Sequence, residues 1–229
     1  YNPPIVIPFQ DDKFMVLDGA NRVTSMKELG LPHLLVQIVE TDSPGLGLRT
    51  WNHVIWKVTQ QELTEEIRKI KGLEMYASEE EGFSSEDIAR IQFYDNGIYK
   101  LAAASPGQRS DRITDLVNMY GQAARFDRTM IEDIRNLDGL YDQLAGLMIY
   151  PHFKIEEVIS FCAEGRLLPA GVTRFVVSPR ALRVNYPIAN LADDRSLEEK
   201  RQQLKHFIQE RMDKKGVRIY TETTVLYDE

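Results

Sequence analysis

An α+β (mixed α/β) fold built from more than one part is what this sequence predicts, and three observations predict it. Short apolar runs bounded by Pro, Gly, Asn and Asp, such as Ile5–Phe9, Phe14–Leu17 and Leu34–Val39, read as strands. Other stretches place apolar residues at i, i+3, i+4 and i+7, as in Ile113, Leu116, Val117 and Tyr120, and read as helices. Strands and helices mix without strict βαβ alternation. The 229 residues are 43% hydrophobic and 28% charged, which suits a globular chain of one large domain or two small ones. The expected division is a core over residues 1–58, an α+β middle region over 59–150 and a C-terminal α/β region over 151–229. Ser78–Ser85 and Ala104–Ser110 are the candidate internal borders.

The elements are justified in order. Ile5–Phe9 is a strand, Gln10-Asp11-Asp12 a turn and Phe14–Leu17 a returning strand. Neither strand has a polar face, so both sides of the pair should be covered. Asp18-Gly19-Ala20-Asn21-Arg22 leads into a short helix with Val23, Met26 and Leu29 on one face and Gly30 at its end. Pro32 opens a third strand, Leu34–Val39, and Thr41–Leu48 is loop. Thr50–Val58 holds Trp51 and Trp56. Thr59-x-x-Glu62 is a capping box for a helix carrying Leu63, Ile67 and Ile70. Ile91–Tyr94 and Ile98–Ala102 flank Asn96-Gly97, a hairpin signal. Ile155, Val158, Ile159 and Cys162 lie on one helical stripe, so Cys162 reads as core. Arg174–Val177 is a strand, and Ser196–Lys215 a charged helix with Leu204, Phe207, Ile208 and Met212 inward. Gly216–Tyr220 and Thr224–Tyr227 read as closing strands.

Composition excludes several classes. A formal net charge of −7 disfavours DNA as the main ligand, because phosphate neutralisation dominates that affinity. Cys162 is the single cysteine, so there is no internal disulfide and no CxxC site, which fits a reducing cytoplasmic compartment. His33, His53, His152 and His206 show no HxH or HExxH spacing, so a dedicated zinc site is not expected, and no residue is assigned as a metal ligand from this spacing. No apolar run approaches the ~20 residues that span a bilayer. Residue 1 is Tyr rather than Met.

Three segments could carry chemistry. In Val16-Leu17-Asp18-Gly19-Ala20-Asn21-Arg22 a strand ends in a carboxylate, a glycine turns the chain and a helix begins. A helix N-terminus offers unpaired N–H groups and partial positive charge, and Arg22, one turn in, can reach back over it as a phosphate cradle. Asp18 would face the same spot, holding a metal ion or a substrate hydroxyl. On local pattern alone the ordinary reading is favoured: Asp18 an N-cap, Arg22 a surface residue. Thr50-Trp51-Asn52-His53 could line a pocket, although Trp is more often core. Thr173 and Arg174, after Pro169-Ala170-Gly171-Val172, could bind a carboxylate or phosphate, or simply start a strand.

Together these segments resemble the ParB/sulfiredoxin-like fold through Asp18-Gly-x-x-Arg22 and Leu29-Gly30. Within it they look like the free L-serine kinases, nearest to the type found in staphyloferrin B siderophore pathways. That similarity is carried by Thr24-Ser25, Thr50-Trp51 with His53, Pro169-Ala170-Gly171-Val172-Thr173-Arg174-Phe175 and Tyr220-Thr221-Glu222. It spans both ends of the chain, and the middle, about Gln60–Gln143, is weakly matched. The resemblance implies transfer of a phosphoryl group from ATP or ADP, with Mg²⁺, to the hydroxyl of free L-serine. It implies Asp18 at the reacting centre, Gly19, Ala20, Asn21 and Arg22 at the nucleotide phosphates, and Trp51, His53, Thr173 and Arg174 at the serine. The family usually has His where Asn21 stands, so that donor is altered. Its proposed catalytic glutamate lies upstream of the first strand, and no Glu precedes Glu28 here, so the chain is expected to begin after that segment. Sulfiredoxins carry their reactive cysteine where Ala20 stands, which removes that activity. The alternative implied is a ParB-fold transcriptional regulator or a non-catalytic nucleotide sensor. A homodimer through Ser196–Lys215 is a further expectation.

Overall fold

The computed structural model describes residues 1–95 and 97–220. The architecture is α+β, as predicted, and the chain divides into two compact units. One comprises Tyr1–Leu46 and the segment from Val177 on; the other is Gly47–Val176. The boundaries thus fall at 46/47 and 176/177 rather than at 58/59 and 150/151. The strand at Asn52–Trp56 belongs to the large sheet of the second unit, and the chain after Val177 returns to the first.

In the first unit, β1 (Ile5–Pro8) pairs antiparallel with β2 (Phe14–Asp18) and parallel with β3 (Gln37–Ile38), in the order β2-β1-β3. β3 is shorter than the predicted Leu34–Val39. Ile5, Val6 and Ile7 are buried as the central strand, whereas Phe14 on the edge strand is half exposed, so coverage of both faces is not complete. Between β2 and β3 lies α1 (Ala20–Glu28). Gly30, at φ +68°, closes α1 while Leu31 N–H reaches back to the Met26 carbonyl, the wrapped end that glycine permits. Met26 is the buried residue of α1; Leu29 points outward at 71% exposure, against expectation.

The return segment is stitched along this small sheet by side chains. The Gln37 amide donates to the Pro179 carbonyl at 2.8 Å and accepts from Ala181 N–H at 2.9 Å. Asn2 Oδ1 accepts from Arg183 N–H at 2.6 Å.

In the second unit the chain first forms β4 (Leu46–Thr50), β5 (Asn52–Trp56) and α2 (Gln60–Arg68). Then come β6 (Leu73–Ala77), β7 (Asp87–Phe93), β8 (Ile98–Ala103), α3 (Arg109–Ala123), β9 (Arg125–Thr129) and β10 (Leu144–Ile149). It ends with α4 (Ile155–Ala163) and β11 (Thr173–Val177). Six of these strands form an antiparallel sheet in the order β6-β8-β7-β10-β5-β9, while β11 pairs with β4. The Thr59–Glu62 capping box opens α2 as predicted. The β7–β8 pair forms the expected hairpin, though Asn96 of its turn lies outside the described residues.

Strand alternation sends neighbouring residues of β5 to opposite faces. His53 faces α3, while Val54 joins Ile134, Leu137, Leu147 and Ile149 on the other side. The stripe Ile113, Leu116, Val117 and Tyr120 of α3 is buried throughout, and Leu63 and Ile67 of α2 lie beside it. On α4 the buried residues are Val158 and Phe161; Cys162 is only partly buried, one step off the covered stripe. Asp87 and Lys100 form a buried ion pair at 3.5 Å. Burial alone would raise the Asp87 pKa, but hydrogen bonds from Ser84 and Tyr76 and the Lys100 charge outweigh it and hold it below the usual carboxylate range.

The first unit also contains α5 (Ala189–Ala192) and α6 (Leu197–Asp213). Serine and glutamate at Ser196 and Glu199 cap α6 reciprocally. The buried residue of α6 is Lys200, whose ammonium donates to the Leu191 and Asp193 carbonyls at 2.7 and 2.6 Å and to His33 Nδ1 at 3.2 Å. Leu204 and Phe207 are only partly covered, and Ile208 and Met212 are exposed, which corrects the expected inward face. Gly216–Tyr220 is not a strand, and Thr224–Tyr227 lies outside the described residues. Among the described residues no helix is long and apolar enough to cross a membrane.

The packing of α2 gives a direct test. Ile67 is 0% exposed, so Ile67→Ala leaves a cavity that should cost about 2–5 kcal/mol. Urea unfolding should show a lower midpoint with an unchanged slope; an unmoved midpoint would contradict the packing.

Candidate active site

Two groups of side chains, one in each unit, gather the residues singled out by the sequence. The first stands where β2 ends. Gly19 is the N-cap of α1 at φ +91°, a conformation that glycine adopts without strain. No side chain caps this helix and its first turn holds no acidic residue, so its N–H groups and partial positive charge are left to another anion. Asp18 is not the cap. Its carboxylate accepts from Arg22 Nη2 at 3.0 Å and from Arg180 Nη2. Arg22 folds back over the helix start as predicted, and its other amino group donates to the Asn2 carbonyl at 2.6 Å.

A Cβ on Gly19 would lie 2.7 Å from Arg22 Nη2 and 3.0 Å from its Cζ, so a side chain there would push the Arg22 guanidinium off the helix start. Ala20 and Asn21 are exposed on the first turn. One carboxylate between two guanidiniums leaves the cluster net positive at a helix N-terminus, which is what a polyanion needs. Arg180 was not read from the sequence. It lies 162 positions from Asp18, past a Pro, with no local signal.

The second group surrounds a turn in the second unit. Trp51 N–H donates to the Val172 carbonyl at 2.9 Å, and the Arg174 guanidinium lies over the Trp51 ring at 4.9 Å. Thr173 opens β11 beside them, partly exposed. The structure thus brings Trp51, Thr173 and Arg174 together. His53 belongs to the same neighbourhood but not to its surface. It is 0% exposed, and both ring nitrogens are engaged. Nε2 faces the Gly171 carbonyl at 2.9 Å and must carry the hydrogen, so Nδ1 accepts from the Tyr120 hydroxyl. Tyr120 in turn accepts from Tyr150 at 2.7 Å.

Phe126 stacks on the imidazole at 4.8 Å. The expected role of His53 as a direct serine contact is therefore corrected: it holds the turn from beneath. Burial is the main reason its pKa falls to about 4, while the Gly171 hydrogen bond opposes this and the charge of Arg128 adds to the drop. Burial likewise keeps both phenols protonated, with pKa values pushed upward. Arg128 was also missed. It sits opposite His53 on β9, an exposed basic residue in an unremarkable strand sequence.

Among the described residues no group of three or more His, Cys, Asp or Glu side chains converges on one point. Mg²⁺ does not require such a cage. It is commonly bound through one or two carboxylates together with substrate phosphates, and Asp18 is a partly exposed carboxylate at a phosphate-suited helix start, so the donor set fits.

The fold is that of the solved free serine kinases. A free serine kinase in complex with AMP superposes with a TM-score of 0.61 at 17% identity, covering 77% of this chain and 73% of that one. SbnI with C-terminal truncation from Staphylococcus aureus superposes with a TM-score of 0.71 at 24% identity, covering 92% of this chain and 82% of that one. In sequence, the chain is 26% identical over 242 residues to the ATP-dependent L-serine kinase SbnI of Staphylococcus aureus (strain NCTC 8325 / PS 47). That alignment covers 100% of this chain and 84% of the relative. No family model matches the chain. The resemblance to the free serine kinases that the motifs carry is borne out.

The buried imidazole makes stability depend on pH. The unfolded state takes up a proton near pH 6.5 and the folded state only near pH 4, so the unfolded form binds more protons between those values. Stability should be full above about pH 6.5 and decline by up to about 3 kcal/mol as pH falls to about 4. Denaturant titrations across this range should show that His53→Gln loses this part of the slope. A slope equal to the parent's would sink the assignment.

Proposed function

We propose that the chain is a free serine kinase, transferring a phosphoryl group from a nucleotide to the hydroxyl of free L-serine and giving O-phospho-L-serine. The observation that carries this reading is the uncapped start of α1, with Asp18 clasped by Arg22 and Arg180 at the motif on which the resemblance turns. Full-length similarity to a protein named as an ATP-dependent L-serine kinase supports it. It also makes ATP the first donor to test, with ADP the second. The net charge of −7 and the relatives together favour a kinase over a DNA-binding regulator.

In this reading the backbone N–H groups of Ala20, Asn21 and Arg22 and the guanidiniums of Arg22 and Arg180 bind the nucleotide phosphates. Asn21 contributes a neutral amide donor. Asp18 is the carboxylate at the reacting centre and would hold Mg²⁺, which would supply charge neutralisation on the phosphates. Trp51, Thr173 and Arg174 bind the acceptor, and His53 orients them through Gly171. In the reaction, the serine hydroxyl oxygen forms a bond to the terminal phosphorus. The bond from that phosphorus to the bridging oxygen of the donor breaks, and the hydroxyl proton leaves to a base. Phosphoryl transfer depends on positioning and electrostatic stabilisation more than on covalent work by the protein. The two arginines and the helix terminus of the first unit suit that demand on the phosphates.

The activity is tested by incubating the full chain with L-serine, Mg²⁺ and ATP or ADP and assaying phosphoserine by mass spectrometry. Product with at least one donor is expected, and none with either refutes the kinase reading. For the phosphate cradle, Arg22→Ala should weaken nucleotide binding about tenfold or more while leaving serine binding less affected. Calorimetry that finds nucleotide affinity unchanged would remove Arg22 from this role.

A further inference from the structure

We propose that Arg128 recognises the α-carboxylate of the amino-acid acceptor. The proposal rests on the serine-kinase reading and deepens it by naming a specificity-determining residue of the acceptor side. Arg128 lies on β9, at the edge of the six-stranded sheet, directly opposite His53. Cross-strand partners project to the same face, so both side chains reach toward the Gly171 turn. They meet it differently. His53 donates to the Gly171 carbonyl from below, fully buried. Arg128 lies against the glycine itself: a Cβ at Gly171 would stand 2.7 Å from Arg128 Nη2 and 2.8 Å from Cζ. Gly171 adopts φ +96°, so the turn presents bare backbone where the guanidinium rests.

At the Gly171 turn Arg128 has no compensating acid, unlike several other arginines of the chain. Arg109 pairs with Glu157, Arg112 with Asp115, Arg135 with Asp133 and Arg195 with Asp193. Among the described residues the exposed side chain of Arg128 has neither an ion pair nor a hydrogen bond. A guanidinium carries five donors in a planar fork that matches a carboxylate in two parallel hydrogen bonds. Here the fork is held in place by the backbone beneath it and keeps its donors for a ligand. The same turn delivers Thr173 and Arg174, whose guanidinium is occupied face-on with Trp51. The neighbouring His53 is neutral and enclosed, so it supplies no charge to an anion. Of the two basic groups at the turn, Arg128 is the one not committed to an aromatic face. The acceptor is a small zwitterion, and its carboxylate is the feature that separates it from other small alcohols.

The test compares L-serine with L-serinamide, which keeps the hydroxyl and lacks the carboxylate. Arg128→Gln should lower kcat/KM for serine about tenfold or more, chiefly through KM. It should leave kcat/KM for serinamide and KM for the nucleotide within about twofold, with an unchanged melting temperature; Arg128→Lys should recover part of the loss. Equal losses on serine and serinamide would mean that Arg128 only shapes the turn, and a rise in nucleotide KM instead would assign it to the donor. Either result overturns the proposal while the wild-type kinase activity stands. Wild-type protein that forms no phosphoserine overturns the kinase reading instead. Calorimetric binding of serine and serinamide to both proteins then decides Arg128: a loss of about tenfold confined to serine supports it, and no such loss overturns it.

Discussion

The hydrogen bond from His53 Nε2 to the Gly171 carbonyl connects β5 of the large sheet to the turn that carries Thr173 and Arg174. It exists because a polar ring has been buried completely and every polar atom on it must then be satisfied. The solution is a chain: Tyr150 donates to Tyr120, Tyr120 to His53, and His53 to Gly171. Each donor fixes the direction of the next, so β10, α3, β5 and the turn are aligned by one proton order. The aromatic packing of Phe126 and Tyr120 around the ring keeps water out and the ring neutral. Charge at the turn is thereby left to Arg128 and Arg174.

The first unit solves a different problem. Three charged groups converge at its exposed helix start, and none is deeply buried. Exposed ion pairs contribute little to stability. Their value lies in orientation, since Asp18 holds two guanidiniums in place beside N–H groups that no side chain caps. Were α1 capped by an aspartate in the usual manner, that carboxylate would occupy the space a phosphate needs. The glycine N-cap is what keeps it open.

How much of this could be read in advance depended on whether the signal was local. The capping box of α2, the β7–β8 hairpin, the stripe of α3 and the Asp18–Gly19–Arg22 turn are all written within a few neighbouring residues, and the structure reproduces them. Arg180 and Arg128 carry no such mark, because their meaning comes from partners brought together only by folding. His53 was found but read as a substrate contact, whereas it is buried beneath the turn. A Trp-Asn-His run in a strand says that the residues alternate, not which face is covered. The apolar spacing of α6 misled for a related reason. Periodicity shows that a helix has an apolar side but not that anything lies on it, and Ile208 and Met212 remain exposed.

The discontinuous first unit has a consequence for the order of events during synthesis. The second unit is spliced into it between Leu46 and Val177, so the small sheet is made first and the strap that finishes it is made late. While the ribosome is still building the intervening sheet, Asp18 and Arg22 are present but Arg180 is not. The inserted unit can fold around its own core during that interval, because its described strands pair only with one another. The helix start at Gly19 acquires its second guanidinium only after the whole inserted unit has been made, so the nascent protein carries an incomplete anion site until then.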